Sequence, residues 1–145
     1  MTPWIPDRRL ASRPWRALIA SSDVALGDLY RTSLASRGWD VEFVQDGQSA
    51  WTRAVSSPPD VLLLNSIRDV SPASLLESLR AEDSTRNLKV VVLANSKQDD
   101  EFEEGKDYGI AARLIKNWTT RDKLPDIVHA LVERRATPAA NPDGP

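Results

Sequence analysis

Two hydrophobic patterns alternate along the chain: short unbroken apolar runs, and longer stretches whose apolar residues recur at helical spacing. The most decisive run is Val61-Leu62-Leu63-Leu64, introduced by Pro59-Asp60 and stopped at Asn65-Ser66. A strand with one face in water alternates apolar and polar residues. A run without alternation therefore predicts a strand covered on both sides, central in a parallel sheet. Lys89–Ala94 (Lys-Val-Val-Val-Leu-Ala) predicts another of this kind, and shorter runs at 15–20, 40–45 and 112–116 bring the predicted strands to five.

Between them lie helical patterns. Over 24–37, Leu26, Leu29, Tyr30 and Leu34 form an inward face; Ser21, Ser22 or Asp23 can accept the first free N–H groups, and Gly38 supplies the stop. A short helix over 49–55 carries Trp51 and Val55, after a turn signal at Asp46-Gly47 and before the breaker Ser56-Ser57-Pro58-Pro59. Ser71-Pro72 opens a third helix, with Leu75, Leu76 and Leu79 facing inward. The stretch 97–108 is the weakest helix: five acidic residues fall between Asp99 and Glu104, Phe102 is the early apolar anchor, and Gly105 lies inside. Ser96 and Asp99 make a capping pair before it. The last helix is predicted over 120–135 with Leu124, Ile127, Val128, Leu131 and Val132 inward, and Pro125 requires a late start near Asp122.

Strand and helix thus alternate five times. With short connections this predicts one α/β domain: a five-stranded parallel sheet, right-handed crossovers, and five helices divided between its two faces. The domain spans 14–136. An extension, 1–13, precedes it, with Trp4 and Ile5 as residues able to fold back. A Pro/Ala/Asn/Gly tail, 137–145, comes after it and is expected to be disordered. Nothing after Arg135 has a folding pattern, which predicts a stand-alone module.

Composition narrows the chemistry. The chain has 145 residues, a net charge of −2 and no cysteine, and its one histidine is His129. Disulfides, thiolate catalysis, Cys-ligated zinc and multi-His metal sites are excluded, and His129 reads as a surface or boundary residue. No basic surface advertises nucleic acid or anionic lipid. No apolar run reaches the ~18 residues of a membrane span, and the residues after Arg8-Arg9 are too polar for a signal peptide. The expectation is a soluble cytoplasmic protein.

In open parallel sheets, ligands and chemistry sit at the carboxyl ends of the strands. Here those ends read Leu18-Ile19-Ala20-Ser21-Ser22-Asp23, Val61-Leu62-Leu63-Leu64-Asn65 and Val90-Val91-Val92-Leu93-Ala94-Asn95. Together with Tyr108-Gly109-Ile110-Ala111-Ala112-Arg113-Leu114-Ile115-Lys116-Asn117, they resemble the receiver domain of two-component response regulators (CheY-like, flavodoxin-like) over residues 16–133. The resemblance implies strand order 2-1-3-4-5. It also implies a phosphoacceptor site built from an acidic pair, an aspartate, a Ser or Thr, and a Lys-Pro. Carried over residue by residue, the acidic pair falls on Ser21 and Ser22, the phosphoacceptor on Asn65, the switch hydroxyl on Ala94 and the switch aromatic on Arg113. The lysine is kept as Lys116, but the proline after it is Asn117.

Those departures decide the expected chemistry. An amide has no anionic oxygen with which to attack phosphorus, so Asn65 cannot form an acyl phosphate. Mg²⁺ relies on carboxylates, and here the expected carboxylates are two hydroxyls and an amide. Asp23 stands one position too late and reads as a helix cap; Asp60 and Asp69 lie off the site. No cofactor or metal is expected. Ser21, Ser22 and Asn65 instead suggest a neutral hydrogen-bond network, with Lys116 donating to the Asn65 carbonyl or remaining as an anion-binding remnant. The resulting expectation is a non-enzymatic pseudo-receiver that serves signal transduction by binding partner proteins without a phosphorylation cycle. By resemblance, the partner surface is the predicted fourth helix, fifth strand and fifth helix, including Arg113, Asn117 and Trp118, where a second copy of the chain could also dock. Trp118 reads equally as a partner anchor or as packing on the last helix. The acidic run from Asp99 to Glu104 reads as a solvated helix start, with a docking role as the alternative. Two other functions compete: a small-ligand sensor for quinone-like molecules, for which the sequence shows no aromatic pocket, and a receiver phosphorylated at a non-standard position.

Overall fold

The computed structural model describes residues 14–94, 108–115 and 118–136. Five strands, β1 (Arg16–Ala20), β2 (Asp40–Val44), β3 (Val61–Leu64), β4 (Lys89–Ala94) and β5 (Ile110–Ile115), pair in parallel in the order β2-β1-β3-β4-β5. Four α-helices accompany them among the described residues: α1 (Val24–Ala35), α2 (Gly47–Ser56), α3 (Pro72–Ala81) and α4 (Trp118–Ala136). The expected helix over 97–108, with its capping pair, lies outside the described residues, as do the two terminal segments, so the count of five helices is not met within them.

The unbroken apolar runs have their physical reason in the two layers above and below the sheet. Successive side chains on a strand point to opposite faces. Ile19, Leu63, Val91 and Leu93 pack with Tyr30 and Leu34 of α1 and with Leu124, Val128 and Val132 of α4. Leu18, Leu62, Leu64 and Val90 pack on the other face with Ala50 and Ala54 of α2 and Leu75, Leu76 and Leu79 of α3. All four residues of β3 are at most 1% exposed. Truncating any of the three leucines there to alanine would cost about 2–5 kcal/mol.

Polar side chains open the helices as the sequence suggests. Asp23 accepts from Leu26 N (3.1 Å) at the start of α1, and Ser71 from Ser74 N (3.1 Å) at the start of α3, ahead of Pro72. Gly38, at φ 91°, comes after the end of α1 in the left-handed region that glycine adopts without a Cβ penalty.

Some expectations are corrected. Asp46-Gly47 is not a separate turn: Asp46 caps α2, accepting from Ser49 N (2.7 Å), and Gly47 is the first helical residue. Leu29 is 39% exposed; the buried face of α1 runs through Gly27 instead, where the Phe43 ring occupies the space a Cβ would need. Strand β5 starts two residues earlier than expected, with a register irregularity against β4 between Val90 and Val91. Helix α4 does not start late. It begins at Trp118 and carries Pro125 internally, where the ring nitrogen cannot donate to the Arg121 carbonyl. A 3-10 turn at Asp83–Thr85 was not foreseen. His129 is exposed, as expected, with its ring edge-on to Trp15 at 6.5 Å between centroids.

Arg80 ties the amino-terminal end of the sheet together. Its guanidinium donates to the carbonyls of Thr85 (3.1 Å), Arg86 (3.0 Å), Leu88 (2.9 Å), Tyr108 (3.0 Å) and Gly109 (3.0 Å). A planar fork of donors suits that fan of carbonyls, and a lysine could not span it.

Candidate functional site

At the carboxyl edge, β1 and β3 lie side by side, and each ends in a polar residue. Ser21 N donates to Val44 O (3.0 Å) and Asn65 N to Ala20 O (2.9 Å), so both residues remain tied to the ladder while their side chains turn into the space beyond it. Ser21 is 0% and Asn65 4% exposed. Asn65 Nδ2 donates to Ser21 Oγ at 2.8 Å. The same hydroxyl accepts from Asp23 N (3.1 Å) and donates to Asp23 O (2.9 Å). A hydroxyl offers one proton and two lone pairs. All three positions on Ser21 Oγ are therefore used.

Ser22 is half-buried and its backbone N donates to Ser66 O (2.7 Å), joining the β1 and β3 loops. Ala94 ends the neighbouring strand β4 opposite Ile115, half-buried, and offers no hydroxyl. The fold thus brings together Ser21, Ser22 and Asn65, with Ala94 one strand away. Lys116 and Asn117 lie outside the described residues. Arg113 is exposed on β5, in register with Val92, and Trp118 opens α4.

The three acids Asp23, Asp60 and Asp69 are committed elsewhere. Asp23 is exposed and caps α1. Asp60 sits at the opposite end of the sheet, where its carboxylate accepts from Arg16 N (2.8 Å). Asp69 accepts from Gly47 N (2.8 Å) and Gln48 N (2.9 Å) at the amino terminus of α2. Those two backbone bonds, Gly47 foremost, hold its pKa below the ordinary carboxylate value. Among the described residues no cluster of three or more His, Cys, Asp or Glu side chains is placed to hold a metal ion.

The tether from Asp69 to α2 was not legible in the sequence, because it joins residues about twenty positions apart with no motif between them. The same holds for a cleft of about 410 Å³ between α2 and α3, lined by Trp51, Leu75, Val70, Ser74, Ser78 and Glu82 among others. Trp51, read in the sequence only as a residue of α2, is half-buried, packs against the core on this face and also lines the cleft, where no aromatic pocket was expected. Its indole Nε1–H is shielded from solvent and has no hydrogen-bond partner among the described residues.

The geometry at the carboxyl edge can be set beside known proteins. No family model matches the chain. Over 76 residues, 52% of this chain, it is 36% identical to the transcriptional regulatory protein TrcR of Mycobacterium tuberculosis, and the match spans 30% of that relative's length. Among solved structures, a putative response regulator from Chloroflexus aurantiacus superposes with a TM-score of 0.75 at 20% identity, over 84% of this chain and 100% of that one. The chemotaxis response regulator CheY4 of Vibrio cholerae gives 0.71 at 17% identity, over 81% and 98%. The fold is that of response-regulator receiver domains. A further neighbour is the receiver domain of a sensor histidine kinase from Pseudomonas aeruginosa, solved with a magnesium ion coordinated in its active-site cleft, at TM-score 0.74 and 20% identity over 83% and 99%. In the receiver-like sheet of the present chain, the carboxyl edge of β1 and β3 instead holds the bonded pair Ser21 and Asn65.

Proposed function

We propose that this chain is a degenerate receiver that works in signal transduction as a protein-interaction module, without enzymatic activity and without a phosphorylation cycle. The observation that carries the reading is the saturated, buried hydroxyl of Ser21 hydrogen-bonded to the Asn65 amide. Where a receiver needs repelling carboxylates that a divalent cation draws together, this edge has a neutral network that is already satisfied. Among the described residues it offers no nucleophilic oxyanion and no carboxylate pair for Mg²⁺. Two other acids do not substitute for them: Asp60 lies at the opposite end of the sheet, and Asp69 holds backbone N–H groups of α2.

The partner in this reading is a protein of a signalling pathway, docked on the face that the resemblance assigns, the predicted fourth helix with β5 and the last helix, and Arg113, Asn117 and Trp118 are the residues chosen for test. Support comes from the exposure of Arg113 on β5 and from the fold shared with response regulators. No helix among the described residues is long and apolar enough to cross a membrane.

Intact-mass measurement after incubation with acetyl phosphate and Mg²⁺ tests the phosphorylation half. The expected result is no gain of a phosphoryl group; a Mg²⁺-dependent gain at any residue would replace this reading with a receiver using a non-standard acceptor. Affinity capture from the native cell, repeated with Arg113→Glu and Trp118→Ala, tests the docking half. A partner held equally well by wild type and both variants would move the interface elsewhere.

A further inference from the structure

We propose that the cleft between α2 and α3 is a binding site for a small aromatic amine that is cationic at neutral pH. Its volume, about 410 Å³, falls in the range of small-molecule sites. Apolar groups line it at Trp51, Val70 and Leu75, and Ser74 and Ser78 add hydroxyls. The one charge among its lining residues is Glu82, half-buried at the carboxyl end of α3, which forms no ion pair among the described residues. An indole and an unpaired carboxylate lining one cleft suit a flat ring bearing a positive charge, whose apolar body would pack against Trp51 while its cation meets Glu82. An anionic ligand would find no cationic side chain in the lining.

The cleft is formed before any ligand arrives. Asp69 ties the α2 end at Gly47 and Gln48, and the Ser84 hydroxyl donates to Val55 O (3.3 Å), joining the far end of α2 to the turn after α3. Between those ties the Trp51 ring is held by packing alone, since no hydrogen bond fixes its Nε1–H. It can therefore turn to meet a stacked ring without breaking a polar contact. The site lies on the face of the sheet covered by α2 and α3, apart from the Arg113 surface, and does not rest on the pseudo-receiver reading.

The test is an NMR titration of the full chain, observing backbone amides and the indole N–H signals. The probes are naphthylmethylamine and its opposite-charge counterpart naphthylacetate. Naphthylmethylamine is expected to shift the Trp51 indole signal together with the Ser78, Ala81 and Glu82 amides, while naphthylacetate leaves them in place. Glu82→Gln, on the helix cap and exposed enough to leave the fold intact, is expected to weaken the amine by up to about fivefold. Trp51→Leu is expected to abolish the shifts at Ser78 and Ala81. Equal binding of the two probes, shifts confined to another surface, or no shift at all would each overturn the proposal.

Discussion

Asn65 donates to a hydroxyl, on Ser21, that has no bonding capacity left. The relationship is asymmetric: the amide supplies the proton, so the strand-end contact requires an N–H at position 65. A carboxylate there would be acceptor-only and would meet Ser21 lone pairs. The Ser21 hydroxyl could answer only by abandoning its bond to Asp23 O.

Asn65→Asp is therefore expected to destabilise the domain by about 1–3 kcal/mol at neutral pH. Burial raises the pKa of the new carboxyl above its unfolded value of about 4. The penalty is thus present at neutral pH, shrinks as pH falls from the raised folded value toward the unfolded one, and is gone only well below about 4, where the carboxyl is protonated in both states. Urea unfolding at pH 7 and pH 4 checks the sign. A variant as stable as wild type at pH 7 would show that the Ser21 contact does not matter.

Asp69 presents the opposite linkage. Its pKa is lowered in the fold by the Gly47 and Gln48 N–H groups, so its contribution is present above the unfolded value of about 4 and is lost as pH falls through the lower folded value. Asp69→Asn is expected to lower Tm at neutral pH, by an amount limited by solvent screening, and to match wild type in strong acid. Thermal melts across that range measure the difference directly, and a gap that widened on acidification would contradict the tether.

Arg80→Lys keeps the charge and loses the fork. Five backbone carbonyls now served by one guanidinium would compete for a single ammonium, and we expect a loss of about 1.5–3 kcal/mol. The loss should appear first as faster hydrogen exchange at Leu88 and in β5, next to Gly109, where a φ of 72° would strain any side chain and the Arg80 guanidinium would have to shift slightly to admit one.

Trp51→Phe removes a buried donor that has no partner, while keeping an aromatic ring in the cleft. The relief of an unsatisfied N–H offsets the smaller buried area, so stability is expected to change by less than about 1 kcal/mol. A larger loss in denaturant unfolding would mean that the indole nitrogen has a role the packing does not show.

How much of this was legible beforehand varies by element. The run Val61-Leu62-Leu63-Leu64 announces a doubly covered strand because no half-exposed strand tolerates four large apolar residues in a row. Asp23 and Ser71 are legible as caps because capping acts over three residues of local chain. Leu29 misled because helical spacing identifies a stripe but not its exact centre, which the Phe43 ring against Gly27 shifts. Pro125 misled because its preference for the first turn yielded to a helix that begins at Trp118.

By itself the sequence determined the five strands, most of the helices between them, their order, and which residue types stand at the strand ends: Ser21, Ser22, Asn65 and Ala94 stand there whatever the packing. Only the tertiary structure decided what those residues do with one another. The Ser21–Asn65 bond, the tether from the Asp69 carboxylate to the Gly47 and Gln48 backbone, and the Glu82–Trp51 cleft each join groups that are distant in the chain. Local propensity acts over a few residues, whereas such contacts exist only after the sheet has set the strand neighbours and the helices have docked on it. That is the physical reason their partners could not be read in advance.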